Sequence, residues 1–166
     1  MLLSDLLTPE RVDLEVERSS LDKPRALTRL ASMLASGSGA LAADVERVLT
    51  EREDLQSTGI GDGVAIPHGA MPDLAQQYAA LLVAPLGVEF AAIDGAPVSI
   101  LFAVIGPKRA SGEHLKTLAR ISRVLRSRDF RERLRSAQNR AQLLELLRAE
   151  EGEIGVDRAS GPSDAR

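Results

Sequence analysis

The sequence of 166 residues contains no cysteine and no tryptophan, and it has only one tyrosine, three phenylalanines and two histidines. The absence of cysteine excludes disulfides, thiolate nucleophiles and cysteine–zinc sites. So few aromatic side chains leave little material for stacking nucleic-acid bases. No apolar run reaches the roughly 20 residues that cross a bilayer, and the first residues lack the basic lead of a signal peptide. We therefore expect a soluble, cytoplasmic protein with no membrane partner.

Charge is close to balanced over the chain, with 21 Lys and Arg against 24 Asp and Glu. This balance argues against a general nucleic-acid binder. Residues 108–140 nevertheless hold eleven basic and three acidic side chains, and Lys116, Arg120 and Arg123 fall on one helical stripe. Nucleic-acid contact by this region is one alternative, and docking of an acidic protein is another. A solvated face is the preferred interpretation, so we expect no nucleic-acid partner.

Hydrophobic periodicity predicts helices, then strands, then helices again. Residues 12–17 alternate as in a half-buried strand, and two nearly continuous apolar runs at 81–90 and 98–105 are typical of inner strands. A short strand is expected at 64–66, between loops. Helices are predicted after a cap at Asp22, over 41–53, from a cap at Ser111 to 125, over 130–137 and over 141–149. The first of these helices has a predicted apolar stripe of Leu27, Leu30, Ala31 and Leu34, and the helix from Ser111 has one of Leu115, Leu118, Ala119, Ser122 and Leu125.

These elements predict a single α/β domain with a central mixed sheet and helices on both of its faces. The domain is assigned to residues 1–150. The polar residues 151–166 contain few large apolar side chains, so we expect a disordered tail there.

His68 is the first candidate for chemistry, because Pro67 fixes the backbone before it and Gly69 frees the backbone after it. A ring held in this way suits a nucleophile or a proton-transfer group. When the P-H-G motif is considered alone, the alternative is a histidine that only completes a loop and has no chemical role. Gly59, Gly61 and Gly63 lie just upstream, and their backbone N–H groups are candidates for binding an anion together with Gly69.

Arg52 and His114 are candidate partners of His68. Arg52 continues the apolar stripe of Val45, Val48 and Leu49, so its guanidinium could face a phosphoryl group or extend to solvent. His114 lies at the predicted start of a helix, where a neutral imidazole is favoured and anions are attracted. Together the three residues and the glycines form a candidate phosphohistidine site. Two histidines without cysteine are a thin ligand set, so neither a metal nor another cofactor is expected.

The residues 52–69 read R-E-x-x-x-S-T-G-I-G-D-G-V-A-I-P-H-G, and this stretch resembles the active-site signature of enzyme IIA of the bacterial phosphotransferase system, in its fructose/mannitol and nitrogen-related branch. The segments 22–35, 90–107 and 113–134 resemble further parts of that family. The resemblance covers roughly residues 3–149. Ala70, Ala91 and Ser99 depart from residues common in the family.

The resemblance implies a mixed α/β sandwich and a phosphoryl-accepting protein. By this likeness His68 takes the phosphoryl group from a histidine phosphocarrier protein, while Arg52 and His114 line the phosphoryl site. The chain has no fused IIB or membrane segment, which favours the nitrogen-regulatory branch, whose members bind regulatory targets such as potassium-transport regulators. Two alternatives stay open: a sugar-specific IIA that passes phosphate to a IIB domain, and a binding module that works without phosphorylation.

Overall fold

The computed structural model describes residues 1–17 and 21–159. Six strands and five α-helices follow one another, joined in places by short 3-10 turns. The strands are β1 Val12–Leu14, β2 Gly59–Gly61, β3 Val64–Ala65, β4 His68–Met71, β5 Tyr78–Val88 and β6 Val98–Pro107. The helices are α1 Lys23–Ala35, α2 Ala42–Leu55, α3 Ser111–Val124, α4 Arg128–Arg135 and α5 Arg140–Ala159. The 3-10 turns are Leu3–Leu6, Pro9–Arg11 and Lys108–Ala110.

All six strands belong to one mixed sheet in the order β1-β5-β6-β3-β2, and β4 also pairs with β6. The central strands β5 and β6 run antiparallel, while β1 pairs with β5 in parallel and both β3 and β4 pair with β6 in parallel. Strands β3 and β4 therefore follow each other along the same edge of β6. The mixed sheet agrees with the expectation from the sequence.

Strand β6 is buried along its whole length, because helices cover both faces of the sheet. Its residues alternate between two apolar clusters, as the two-residue period of a strand requires. Ile100, Phe102 and Val104 pack with buried residues of α3, α4 and α5. Leu101, Ala103 and Ile105 pack with α1 and α2 on the other face. The prediction of helices on both faces is confirmed.

Helix α1 shows why these residues become helical. The Asp22 side chain accepts a hydrogen bond from the backbone N–H of Arg25 at 3.0 Å, which caps the first turn, and Pro24 lies in that turn, where its missing N–H costs nothing. The predicted stripe is buried as expected, and its members are Leu27, Leu30, Ala31 and Leu34.

Two details of the predicted helix over 111–125 are wrong. The helix α3 follows a 3-10 turn, so Ala110 is its N-terminal cap residue and Ser111 makes no capping bond. Its buried face consists of Thr117, Ile121 and Val124, while Leu115 is 66% exposed. The helix is therefore rotated relative to the predicted stripe, of which Leu125 is buried and Leu115 lies at the surface.

The expected disordered tail is also wrong as far as the structure describes it, because α5 continues to Ala159. Glu150 and Glu151 are buried, although their charges suggested solvent. The carboxylate of Glu151 accepts hydrogen bonds from the backbone N–H groups of Leu3 (2.7 Å) and Ser4 (2.9 Å), and Glu150 pairs with Arg133 at 3.2 Å. Residues 160–166 of the predicted tail lie outside the described residues.

Candidate active site

His68 is the first residue of β4 and lies opposite Val104 of β6. The sequence predicted a loop here, but the structure shows a four-residue strand. The high glycine content of residues 57–72 favoured the prediction of a loop. The side chain is half-buried at the edge of the sheet. Because a strand paired to the fully buried β6 fixes its backbone, the ring of His68 has a defined direction.

One nitrogen of the His68 ring forms a hydrogen bond with the backbone. Nδ1 lies 2.7 Å from the carbonyl oxygen of Ile66. A carbonyl oxygen only accepts hydrogen bonds, so Nδ1 carries the proton and donates it. In a neutral ring the second nitrogen, Nε2, then has a free lone pair. This is the tautomer that a nucleophilic histidine needs, and Ile66 selects it.

His114 lies next to His68, with ring centroids 5.7 Å apart and the ring planes inclined by 50°. It stands in the first turns of α3 and packs against Gly106 of β6. A β-carbon at Gly106 would lie only 3.1 Å from Nδ1 of His114. The glycine thus allows α3 to bring this ring close to the sheet. Nδ1 of His114 is buried and has no hydrogen-bond partner among the described residues.

Arg52 stands in the last turn of α2 and is half-buried. Its Nη1 donates a hydrogen bond to the backbone oxygen of Gln56 at 2.8 Å, where helix α2 has ended. This bond satisfies one carbonyl at the helix C-terminus and holds the guanidinium near the site. The positive charge of Arg52 is close enough to lower the pKa of His68.

Glu53 is a charged residue near His68 that is not among the site residues predicted from the sequence. Its buried carboxylate pairs with Nζ of Lys23 at 2.9 Å and accepts hydrogen bonds from the backbone N–H of Thr58 at 3.1 and 3.2 Å. The Thr58 hydroxyl donates to it as well. Glu53 therefore joins α1, α2 and the segment that leads to β2. The sequence feature that could have identified Glu53 is its position directly after Arg52 in the R-E pair.

Both histidines favour the neutral form. Burial is the main cause that lowers the pKa of His68, and the positive charge of Arg52 lowers it further. The hydrogen bond to Ile66 and the negative charge of Glu53 raise this pKa, but they do not outweigh the two lowering effects. Burial also lowers the pKa of His114, followed by the proximity of His68. Each ring thus binds a proton less readily than a free histidine.

The structure places the upstream glycines away from the His68 ring. Gly63 lies at the turn between β2 and β3, and its carbonyl accepts from the N–H groups of Ser99 and Ile100. Ser99 is five positions from Val104, so Gly63 is roughly 16 Å from His68 along β6. Gly61 pairs with Val64 at the same end. The phosphate role expected of these two glycines stays a prediction, and this separation from His68 does not favour it.

Gly59 and Gly69 have packing roles. The backbone N–H of Gly59 donates to Ser57 Oγ at 3.1 Å, and a β-carbon at Gly59 would lie 2.7 Å from Cβ of Ala92. Gly69 adjoins His68, and a β-carbon there would overlap Cγ1 of Val48 in α2. Gly69 thus lets α2, which carries Arg52, approach β4.

Much of the basic region 108–140 is committed to internal contacts. Arg109 donates to the carbonyl oxygens of Leu74 and Ala75, and Arg131 donates to those of Leu125 and Arg126. Part of the positive charge in this region therefore has a structural role.

No helix in the described part of the chain is both long and apolar enough to span a membrane.

A family model described as "Phosphoenolpyruvate-dependent sugar phosphotransferase system, EIIA 2" matches residues 5–150. The chain belongs to this family. Within it, this EIIA 2 chain is similar to proteins named nitrogen regulatory protein. It is 35% identical to one from Bradyrhizobium diazoefficiens over 147 residues, which cover 89% of this chain and 95% of the relative. It is 37% identical to one from Pseudomonas aeruginosa over 146 residues, covering 87% and 94%.

A solved structure gives the same result for the fold. The nitrogen regulatory protein IIA-Ntr from Neisseria meningitidis matches this EIIA 2 chain with a TM-score of 0.79 and 31% identity, covering 87% of this chain and 98% of the other. The family resemblance and the predicted α/β architecture are thereby confirmed. The chain is a IIA-Ntr-like phosphotransferase system protein.

Proposed function

We propose that Nε2 of His68 accepts a phosphoryl group from a histidine phosphocarrier protein and that the phosphorylation state of the chain then regulates partner proteins. The observation that carries the proposal is the hydrogen bond from Nδ1 of His68 to the Ile66 carbonyl. It leaves the lone pair of Nε2 as the nucleophile of a ring whose pKa is lowered by burial.

In the proposed step, the Nε2 lone pair attacks the phosphorus of the donor's phosphohistidine. A nitrogen–phosphorus bond forms at His68 while the donor's nitrogen–phosphorus bond breaks, and that electron pair returns to the donor imidazole. The His68 ring becomes positively charged as the bond forms. The Ile66 carbonyl and the Glu53 carboxylate both favour the charged ring, since both raise its pKa.

Arg52 and His114 are proposed to bind the transferred group. The guanidinium of Arg52 neutralises part of the phosphoryl charge. His114 is neutral because its pKa is lowered, and a neutral ring can donate one N–H to a phosphoryl oxygen. The 5.7 Å separation of the two ring centroids leaves space for a group on His68 to contact His114.

The nitrogen-regulatory branch is proposed because the relatives named nitrogen regulatory protein align over nearly their whole length. Phosphorylation adds negative charge at a site already bordered by Arg52, so it changes the surface that a partner meets. Potassium-transport regulators are the proposed kind of target. A sugar-specific IIA that donates to a IIB domain is the alternative.

The test is incubation with a phosphocarrier protein that carries a labelled phosphoryl group. We expect label on the wild-type chain and none on His68→Ala. His114→Asn and Arg52→Gln should still be labelled, but about 100-fold more slowly, as when one donor to a developing charge is removed. Arg47→Gln, an exposed arginine of the same helix, is the matched control and should be labelled at the wild-type rate.

Two results would contradict the proposal. Absence of label on the wild-type chain would favour a binding module that works without phosphate. Label that persists on His68→Ala and disappears from His114→Asn would move the acceptor to the second histidine. Transfer of the label from His68 onward to a IIB domain would favour the sugar-specific alternative.

A further inference from the structure

Two buried polar atoms without a hydrogen-bond partner lie on the face of the sheet that α3 covers. They are Oε1 of Gln77 and Nδ1 of His114, and neither has a partner among residues 1–17 and 21–159. Gln77 is only 9% exposed. A buried polar atom without a partner destabilises the fold until something satisfies it. The proposed phosphoryl transfer uses His114 but gives Gln77 no role.

Gly106 brings these two side chains together. Tyr78 of β5 lies opposite Ile105 of β6 in an antiparallel pair. The next residues along this pair, Gln77 and Gly106, therefore point to the same face of the sheet. A β-carbon at Gly106 would lie 3.3 Å from Cγ of Gln77 and 3.1 Å from Nδ1 of His114. Both side chains thus border the space that Gly106 leaves empty.

The two unpaired atoms can satisfy each other only if the proton of His114 is on Nδ1. An amide oxygen only accepts hydrogen bonds, whereas Nδ1 of a neutral imidazole donates when it carries the proton and accepts when it does not. If Nδ1 lacked the proton, both atoms would be acceptors and neither could bond the other. A proton on Nδ1 satisfies both atoms with a single hydrogen bond.

We propose that Gln77 is a positioning residue that sets the tautomer of His114. In the unphosphorylated chain, Oε1 of Gln77 accepts a hydrogen bond from Nδ1–H of His114, and Nε2 of this ring then carries the lone pair. The two atoms are not bonded in the structure, and a rotation about the outer bonds of the Gln77 side chain joins them. Gln77 borders two cavities of about 260 and 400 Å³, which give its amide room to turn.

The second part of the inference rests on the proposed function. Nδ1 of His114 is buried against the sheet, so Nε2 is the nitrogen left to contact a phosphoryl group on His68. An unprotonated phosphoryl oxygen only accepts, so Nε2 must then carry the proton. One proton leaves Nδ1 to solvent while Nε2 takes one from solvent, and the ring stays neutral. The Gln77 amide turns over and donates an N–H to Nδ1, because an amide carries both a donor and an acceptor.

The experiment reads the tautomer of His114 from the ¹⁵N chemical shifts of its ring, which differ between a protonated and an unprotonated nitrogen. The chain has only two histidines, so the spectrum of His68→Ala assigns the signals. At a pH where both rings are neutral, we expect the proton on Nδ1 in the unphosphorylated wild-type chain and on Nε2 after phosphorylation by the phosphocarrier protein. In Gln77→Met, His114 should lose its preference for the proton on Nδ1, and labelling should be about tenfold slower because one hydrogen bond is lost.

Gln76→Met is the matched control, because Gln76 is the adjacent glutamine and is exposed. It should change neither the tautomer nor the labelling rate, and thermal unfolding checks that both variants remain folded. A proton on Nε2 of His114 in the unphosphorylated wild-type chain, or equal ¹⁵N shifts in Gln77→Met and wild type, would overturn the proposal. A proton that stays on Nδ1 after phosphorylation would overturn its second part. Absence of label on the wild-type chain would contradict the proposed function, whereas the unphosphorylated spectra decide the contact between Gln77 and His114 on their own.

Discussion

At the scale of single residues, the two histidines and one arginine named from the sequence come together in the fold. The motif P-H-G singled out His68, and the structure places His114 beside it and Arg52 near it. The tautomer of His68 was not predictable, because it depends on the direction of the Ile66 carbonyl. The burial of Glu53 was not predictable either, since its partner Lys23 lies on another helix.

The lowered pKa values of His68 and His114 predict a specific dependence of stability on pH. Both rings have an ordinary pKa of 6.5 when the chain is unfolded. Between this value and the lower folded values, the unfolded chain binds more protons, so the free energy of unfolding decreases as the pH falls below 6.5. We expect a smaller decrease for the double variant His68→Gln, His114→Gln.

Urea unfolding of both proteins at pH 7.5 and 5.5 measures this difference. The carboxylates titrate in both chains, so the comparison isolates the histidines. An equal decrease in the two proteins, or a wild-type chain that becomes more stable at the lower pH relative to the variant, would mean that burial does not lower the two pKa values.

At the scale of elements, the contact between α2 and β4 positions Arg52 relative to His68. Gly69 was expected to bind phosphate, and the structure shows that it gives Val48 room. The sequence predicted α1 and α2 well because the apolar residues of both helices recur at a regular helical period. It did not predict β2 and β4, because their glycines carry no strand signal. Strand β4 also pairs with β6, which is distant from it in the sequence, whereas β2 pairs with the neighbouring β3.

Gly69→Ala should destabilise the fold by about 1–3 kcal/mol, as overpacking does. The added methyl group meets Cγ1 of Val48, and a valine in a helix has one strongly preferred rotamer, so relief requires either a disfavoured rotamer or a shift of α2. Urea unfolding measures the change, and the double variant Gly69→Ala, Val48→Ala should recover part of it.

Gly112→Ala is the matched control for this substitution. Gly112 lies in α3 with no atom within 4 Å of an added β-carbon, so alanine there should raise stability by about 0.5–1 kcal/mol. If Gly69→Ala were as harmless as Gly112→Ala, the close approach of α2 to β4 would be incorrect.

At the scale of the whole molecule, the two ends of the described chain hold each other. The sequence suggested a disordered tail after position 150, but the carboxylate of Glu151 accepts hydrogen bonds from the N–H groups of Leu3 and Ser4 in the first 3-10 turn. The paired residues are 147 and 148 positions apart in the sequence, so no local sequence pattern indicates that they are in contact. Composition alone therefore could not have located the end of α5.

Glu151→Ala should lower the free energy of unfolding by about 2–3 kcal/mol, because two buried N–H groups lose a charged acceptor. The amides of Leu3 and Ser4 should also exchange faster with deuterium. Glu153→Ala, an exposed position on the same helix, should change neither quantity. Unchanged exchange in Glu151→Ala would show that the 3-10 turn does not depend on α5.

The most direct measurement of the central claim locates the phosphorus atom on the phosphorylated chain by correlated ¹H, ¹⁵N and ³¹P NMR. We expect one phosphorus bonded to Nε2 of His68, while Nδ1 keeps its proton and its hydrogen bond to the Ile66 carbonyl. Phosphorus on Nδ1 of His68, or on either nitrogen of His114, would contradict the claim.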